Sequence, residues 1–193
     1  TWDSSGEKTI DLASPTATDG VSVENGTITI TSGGTYRLTG EYSGQVKIEA
    51  AKTDTVRLVL DNAKITNSTG AAINVVSAAE AIIYTAAGTT NTVADEANYT
   101  ATGDDDPDAA IYSTANLTLT GEGSLSVEGV YEEGIHTTGG LVIASGTLEV
   151  NAANTGIKGK DYVDITGGIV NVTAAQDGIK STNTDDENMG FTR

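Results

Sequence analysis

The stretch EGIHTTGGLVIASGTLEVNAANTGIKGKDYVDITGGIVNVTAAQDGIK, residues 133–180, contains one short frame three times at a constant interval. The frame is Gly-Ile followed by a basic residue, and its copies are Gly134-Ile135-His136, Gly156-Ile157-Lys158 and Gly178-Ile179-Lys180. Each copy begins 22 residues after the previous one. A strict period in this range is typical of a solenoid.

The residues between the frames predict short strands. Each Ile is followed by apolar-x-apolar pairs, first Leu141/Ile143 and Val163/Ile165, then Leu148/Val150 and Val170/Val172. Alternation of period two with Gly between the pairs is typical of strands that bury one face. Units of about 22 residues are too small to bury that face alone, so they must stack on one another. The sequence therefore predicts an all-β parallel β-helix.

Looser copies of the repeat lie upstream. The frame at Ile111 comes 24 residues before Ile135, and the frame at Ile73 lies a further 38 residues upstream because of an insertion near residues 96–109. We predict a single β-helix domain over 1–193, with N-terminal strands or a cap in 1–44 and coils in 45–193, of which the last is incomplete.

The composition restricts the partners. Asp and Glu number 27 against 10 Lys and Arg, for a formal net charge of -17. Nucleic acid and anionic membranes need a basic surface, so both are unexpected partners. The sequence has no apolar run long enough to span a membrane and begins without a signal peptide, and its lack of cysteine does not distinguish between compartments.

Acidic residues recur at equivalent positions of neighbouring units. In a β-helix these positions form columns at a spacing of about 4.8 Å, where like charges repel unless a cation lies between them. Ca²⁺ takes six to eight oxygen ligands and fits such columns. Two clusters are candidate metal sites, and neither matches an EF-hand: Asp104, Asp106 and Asp108 with Glu133 in the next unit, and Asp161, Asp177, Asp185 and Asp186. Solubility alone also explains an acidic surface.

A basic column runs beside the acids. His136, Lys158 and Lys180 occupy the same position in consecutive units, and Lys160 lies two residues beyond Lys158. Such a row could bind a linear polyanion, or each lysine could neutralise a neighbouring carboxylate. Aromatic candidates for stacking on sugar rings are few, and they are Tyr112, Tyr131 and Tyr162.

Several segments together resemble a known family. VRLVLDNAKIT (56–66), DDDPDAAIYS (104–113), GIKGKDYVDITGGIVNV (156–172) and QDGIKSTN (176–183) are similar to the bacterial carbohydrate-binding parallel β-helix proteins that bind cellulose and pectic acid. The resemblance extends from about residue 31 to 191 and implies a right-handed helix, secretion or cell-surface display, and bound Ca²⁺. It also implies a likeness to family 9 pectate lyases in the calcium pockets, with Asp108, Asp161, Asp177, Asp185 and Asp186 at the motif positions.

The chain departs from the family pattern in two ways. Thr155 stands before Gly156 where the flanking units have acids, and the sequence stops at Arg193, just after Phe191 opens a strand, whereas family members usually continue. An open coil exposes strand edges and apolar side chains, so we expect it to be covered by a further copy or to result from trimming.

Three functions follow as hypotheses. The first is a calcium-organised extracellular protein that binds polysaccharide, either polyuronate or cellulose. The second is a surface fibre that assembles by self-association of β-helix ends, with Trp2 and Phe191 as contacts. The third is a calcium-dependent pectate lyase with Lys158 or Lys180 as base. Because nearby carboxylates stabilise the protonated lysines, we expect binding rather than catalysis.

Overall fold

The computed structural model describes residues 6–103 and 106–193. The predictions that concern Trp2 and Asp104 lie outside these residues. Twenty strands are present: β1 Lys8–Asp11, β2 Val21–Glu24, β3 Thr27–Ile30, β4 Gly34–Ser43, β5 Gln45–Glu49, β6 Thr55–Asn67, β7 Ile73–Ser77, β8 Glu80–Thr85, β9 Thr90–Asp95, β10 Ala109–Ser113, β11 Asn116–Gly121, β12 Ser124–Gly129, β13 Glu133–Thr137, β14 Gly140–Ile143, β15 Thr147–Ala152, β16 Ile157–Gly159, β17 Tyr162–Ile165, β18 Ile169–Ala174, β19 Ile179–Ser181 and β20 Phe191–Thr192. Within the described ranges there is no α-helix, and hence no helix that is long and apolar enough to cross a membrane.

The strands form two sheets that wrap around one core. Strands β3, β5, β7, β10, β13, β16 and β19 succeed one another in the eight-stranded sheet, one per coil. The twelve-stranded sheet branches into two arms, and the long strands β4 and β6 run through both. Later coils contribute a separate strand to each arm, beginning with β8 in one and β9 in the other. All pairings between these strands are parallel except the β2–β3 hairpin. The all-β parallel β-helix prediction is confirmed.

The predicted register is also correct. Ile111, Ile135, Ile157 and Ile179 pair in succession in the eight-stranded sheet. Each of the first three is fully buried, because alternate side chains of every strand point into the shared core. The apolar-x-apolar pattern is therefore sufficient to align the coils, since a slip of one residue would turn every apolar side chain outward.

The coil changes direction at a β-bulge in β6. Thr39 pairs with Asp61 and Gly40 with Ala63, so Asn62 is an extra residue, and its φ is 55°. Buried Asn91 of the next coil accepts a hydrogen bond from the Ala63 N–H at 2.8 Å and so satisfies the backbone beside the bulge.

An insertion separates β9 from β10, at residues 96–108, where the sequence predicts it. It packs back on an earlier coil through a hydrogen bond from the Thr100 N–H to the Thr69 carbonyl, 3.1 Å long. Parallel pairing begins at β1, which pairs with β4, and continues through β3 and β4 within the segment 1–44 that the sequence assigns to N-terminal strands or a cap.

Candidate functional site

A cluster of charged side chains lies where the insertion returns to the eight-stranded sheet. Asp108 immediately precedes β10, Glu133 opens β13 and Lys158 lies in β16, so three consecutive coils each contribute one group. The Lys158 Nζ atom lies 3.4 Å from Asp108 Oδ2 and 3.3 Å from Glu133 Oε1. His136 Nδ1 lies 2.5 Å from the other Asp108 oxygen. We call Asp108, Glu132, Glu133 and Lys158 the acid–lysine cluster.

Glu132 completes a set of potential metal ligands. Ala109 pairs with Glu133, which places Asp108 in register with Glu132 on the next coil. Ligand oxygens of Asp108, Glu132 and Glu133 all lie within 4.8 Å of one another. In residues 6–103 and 106–193 this is the only group of three or more acids, histidines or cysteines with that geometry. Ca²⁺ prefers oxygen ligands such as carboxylates, and here they come from two adjacent coils.

Three buried oxygens, one in this set and two on the next coil, lack hydrogen-bond partners within the described chain. They are Glu133 Oε2, Asn154 Oδ1 and Thr155 Oγ1. The Asn154 N–H bonds the Glu132 carbonyl and the Gly134 N–H bonds the Thr155 carbonyl, so Asn154 and Thr155 lie one coil from Glu132 and Glu133. A buried acceptor without a donor costs about 1–3 kcal/mol. The residues present therefore fit a cation, and Thr155, which interrupts the acidic column, retains an oxygen at this position.

The two central acids have opposite pKa shifts. Burial, reinforced by the negative charge of Asp108, raises the pKa of Glu133 to about 7. Burial also disfavours ionisation of Asp108, but the hydrogen bond and charge of His136 together with the charge of Lys158 lower the pKa of Asp108. Asp108 is therefore ionised at neutral pH while Glu133 is only partly so, which is the pattern of a site with too few positive charges.

Asp95 holds the turn that presents Glu132 and Glu133. Its Oδ1 accepts the Val130 N–H at 2.5 Å, and its Oδ2 accepts the Tyr99 hydroxyl of the insertion at 2.7 Å. Burial raises the pKa of Asp95, and these hydrogen bonds oppose that effect. Asp95 thus fixes the insertion and the turn together, and no repeat in the sequence points to it.

The second predicted acidic cluster does not come together in the same way. Asp177 forms an ion pair with Lys180 at 2.9 Å, and Asp161 accepts a hydrogen bond from the Asn183 amide at 2.9 Å. Asp185 and Asp186 lie in an exposed turn whose N–H groups bond Asn183 Oδ1. In the first predicted cluster, Asp106 accepts a hydrogen bond from the Gly103 N–H of the insertion and lines the same hollow of about 240 Å³ as Asp108 and Glu132.

The predicted basic column exists in register. Tyr112, His136, Lys158 and Lys180 pair successively along the sheet, and the column continues through Asn74 to Lys47. Its cations already have acidic neighbours, since His136 and Lys158 contact Asp108 and Lys180 contacts Asp177. Among the described residues, Lys160 belongs to no ion pair within 4.0 Å and is exposed.

The three predicted tyrosines are largely enclosed. Tyr112 is 5% exposed and meets His136 edge to face. Tyr131 stacks on Tyr99 with ring centroids 4.1 Å apart. Tyr162 lies over Gly140, where a Cβ would come within 2.1 Å of the ring, and stacks on Phe191 at 5.5 Å. Tyr112 is therefore buried, whereas Tyr131 and Tyr162 are half-buried and each has one ring face covered by an aromatic partner.

The family model described as "Carbohydrate-binding domain-containing protein" matches residues 24–193. The chain belongs to this family. A carbohydrate-binding domain-containing protein of Acetivibrio thermocellus is 36% identical over 137 residues, which are 69% of this chain and 48% of that protein. The chain thus spans about half the length of this relative.

A solved structure agrees with this assignment. It is described as "Structure of the polysaccharide lyase-like protein from C. thermocellum, Gadolinium derivative", and the two chains are 34% identical with a TM-score of 0.91. The alignment covers 96% of this chain and 77% of the other. The agreement supports the coil stacking along this chain.

Sequence reasoning located Asp108, Glu133 and Lys158 but missed Glu132, Asn154 and Thr155 as oxygen donors. Strand register alone could have indicated Glu132 and Asn154. Each lies two residues before a Gly-Ile frame, and in successive coils this position forms one column with Asp108. Their burial could not be read from the repeat, since it depends on the insertion and the neighbouring coils.

Proposed function

We propose that this chain is a calcium-organised extracellular protein that binds polysaccharide of the pectic acid or cellulose class. Membership of a carbohydrate-binding family supports a polysaccharide ligand. The observation that supports calcium most directly is the set of buried, unpaired oxygens beside Asp108, Glu132 and Glu133. The similar solved structure is a gadolinium derivative, and gadolinium is a hard cation that prefers oxygen ligands as Ca²⁺ does.

Asp108, Glu132 and Glu133 would hold the cation, with Asn154 and Thr155 as neutral oxygen donors nearby. When bound, Ca²⁺ supplies positive charge at which a uronate carboxylate can bind. The chain's own residues orient that ligand: Lys160 follows Lys158 on the same coil, Lys180 lies on the next coil, and both can contact further carboxylates along a polyuronate. A row of cations at strand spacing matches a linear polyanion better than an isolated charge does.

Calcium analysis combined with a polygalacturonate pulldown tests the proposal. Purified protein should contain Ca²⁺ by elemental analysis, and polygalacturonate should retain it in millimolar Ca²⁺ but release it in chelator. Asp108→Asn combined with Glu133→Gln should abolish the retention. Asp19→Asn, which alters an exposed acid far from the cluster, is the matched control and should behave as the wild type. Equal retention with and without calcium in all three proteins would contradict the proposal.

The extracellular assignment is part of the same proposal. Polyuronate and cellulose are found outside cells, and a net charge of -17 suits a dispersed surface protein. Fractionation of the native host with an antibody against this chain provides the test. Recovery from cytoplasm alone would contradict the extracellular assignment without affecting the binding proposal.

A lyase is the second candidate, favoured by the similarity to a structure that is described as polysaccharide lyase-like. The prospective bases Lys158 and Lys180 are both held in ion pairs with carboxylates. An assay for unsaturated uronide at near-ultraviolet wavelengths tests this candidate. Product formed by the wild type and lost in Lys158→Ala would establish the lyase.

Self-association through a β-helix end is the third candidate. Ile169 of β18 is 61% exposed and Phe191 of β20 is 38% exposed, and both lie on strands at the edge of the sheet. Exposed apolar residues on an edge strand favour edge-to-edge pairing. Negative-stain images that show long filaments of the purified chain would support this assembly, whereas dispersed particles at high concentration would contradict it.

A further inference from the structure

A second, uncharged cleft lies on the N-terminal side of the insertion, away from the acid–lysine cluster. It consists of two adjoining hollows of about 330 and 240 Å³ that share Asn25, Gly26, Asn67 and Thr69. Three successive levels of the fold form it: the β2–β3 turn, the β4–β5 turn at Gly44, and the segment after β6. We call it the amide cleft. Its volume is of the order that small-ligand sites have, about 300–1,000 Å³.

The walls of the amide cleft are polar but almost without charge. Its side chains are the amides and hydroxyls of Asn, Gln, Ser and Thr, with Glu96 as the single acid and no lysine or arginine. Without cations the cleft has no attraction for a polyuronate, and one carboxylate does not form a calcium site. The chemistry favours a ligand with many hydroxyl groups and no charge.

Part of the wall is held rigid and part is free to bind. The Asn67 Nδ2 and Gln45 Nε2 groups both donate to the Ala71 carbonyl at 2.9 Å, which fixes the two amide planes. Asn25 and Ser68, which also line the cleft, are exposed to solvent. Fixed amides beside exposed amide and hydroxyl groups can bind adjacent sugar hydroxyls at a low ordering cost.

Glycines keep the cleft open, for different reasons. At Gly44 a Cβ would lie 2.2 Å from the Gly26 carbonyl oxygen, so the fold itself requires glycine there. At Gly70 the backbone is ordinary and a Cβ would lie no closer than 3.6 Å to any neighbour. Packing therefore does not require glycine at residue 70, and a side chain added there would fill the cleft.

We propose that the amide cleft binds an uncharged sugar unit of a polysaccharide, independently of the acid–lysine cluster. The inference rests on the proposed function in that it assumes a polysaccharide ligand. The two sites differ in their dependence on conditions. Binding at the cluster requires calcium and weakens with salt, whereas hydrogen bonding in the cleft tolerates both chelator and high salt, because it involves no net charge.

Cello-oligosaccharide binding followed by NMR titration tests the cleft, with chelator and ~0.5 M salt present, which leave a screening length of only a few Å. The wild type should bind under these conditions. Gly70→Val should weaken binding at least tenfold because its side chain occupies the cleft. Asn25→Gly, which removes one exposed amide and suits the φ of 50° at that residue, should weaken it several-fold. Gly6→Val, at an open site elsewhere, is the control and should bind as the wild type.

Polygalacturonate binding in calcium, measured on the same proteins, separates the two proposals. Equal polygalacturonate binding by all four proteins, with cello-oligosaccharide binding lost in Gly70→Val and reduced in Asn25→Gly, is the expected result. Unchanged cello-oligosaccharide binding in both variants would overturn the amide-cleft inference. Wild-type binding to polygalacturonate but not to cello-oligosaccharide would overturn it while leaving the proposed function standing. Binding to neither ligand would overturn both.

Discussion

The three copies of the Gly-Ile frame are nearly identical in sequence but differ in their surroundings. In the copy at Gly134 the preceding acid, Glu133, has a side chain that is 3% exposed and includes an unpaired oxygen. In the copy at Gly178 the preceding acid, Asp177, is 54% exposed and paired with Lys180. Among the described residues, this last copy lies at β19, an edge strand of the eight-stranded sheet. The comparison shows that a repeated acid becomes a candidate ligand only where neighbouring coils remove water from it.

The glycines of the frame show the same contrast. A Cβ on Gly134 or Gly156 would lie 2.3 or 2.2 Å from a valine methyl group of the same or the next coil, whereas a Cβ on Gly178 would meet nothing within 4 Å. Packing therefore requires glycine at residues 134 and 156, whereas no described neighbour requires it at residue 178.

The largest expected effect is that of calcium on stability. A cation that binds only the folded chain at 1,000 times its Kd adds about 4 kcal/mol, which corresponds to roughly 10 °C in Tm for a chain of this size. Asp108→Asn with Glu133→Gln should remove most of this gain. Asp161→Asn with Asp177→Asn should retain it, because both acids already have partners. Differential scanning calorimetry with calcium or chelator measures the gain. The reverse ranking of the two double variants would locate the metal in the second predicted cluster.

The next effect is a pH dependence of the metal-free chain. The pKa of Glu133 rises from 4.5 to about 7 on folding, so the folded state binds more protons between these values and stability falls as pH rises through them. At 1.36 kcal/mol per unit, the loss is about 3 kcal/mol. Urea unfolding in chelator between pH 4.5 and 8 measures the loss.

Glu133→Gln should flatten this profile, since glutamine does not titrate. Asp108 affects stability with the opposite sign. Because folding lowers its pKa, its stabilising contribution is lost only when pH falls through that lowered pKa. Saturating calcium should reverse the slope above pH 5, since the metal favours the ionised carboxylate. A wild-type profile that stays flat in chelator would contradict the burial argument for Glu133.

The frame glycines provide a matched pair of smaller changes. Gly156→Ala forces its methyl group against Val172 and the Gly178 carbonyl, and should destabilise the chain by about 1–3 kcal/mol. Gly178→Ala has free space and an ordinary backbone, so it should be neutral or stabilise by up to about 1 kcal/mol. Thermal unfolding of both variants measures the difference. Equal effects would show that the last coil is as tightly packed as the interior.

The basic column should contribute a several-fold effect on binding. Lys160→Ala with Lys180→Ala should weaken polygalacturonate binding and reduce its salt dependence, because both substitutions remove positive charge that attracts the polyanion. Lys52→Ala with Lys64→Ala makes the same charge change on other surfaces and is the control. Isothermal titration at two salt concentrations distinguishes them. A similar loss in both double variants would indicate general charge attraction rather than a defined column.

The smallest change in stability is expected at Phe191. Replacing this 38%-exposed side chain by lysine removes a stacking partner of Tyr162 and places a charge on the edge strand. If the edge associates, Phe191→Lys should shift the chain toward monomer in sedimentation velocity. A wild-type chain that is already monomeric at high concentration would show that this edge strand does not mediate association.

The repeat was enough to predict the fold, the position of the insertion and the pairing of the basic column. These features depend on local alternation and on a constant interval between frames, and both are visible in sequence. The register then fixes which residues become neighbours on successive coils, which is why Asp108, Glu133 and Lys158 could be named as candidates without coordinates.

The burial of side chains and their ion pairs were decided only by the tertiary structure. Tyr112 looks like an accessible aromatic side chain in sequence, yet its neighbours enclose it, and Asp95 occurs in no recognisable motif. The amide cleft also has no sequence signature, because its walls come from turns far apart along the chain. A periodic sequence determines which residues align, whereas water access at each aligned position depends on what the insertion and the adjacent coils cover.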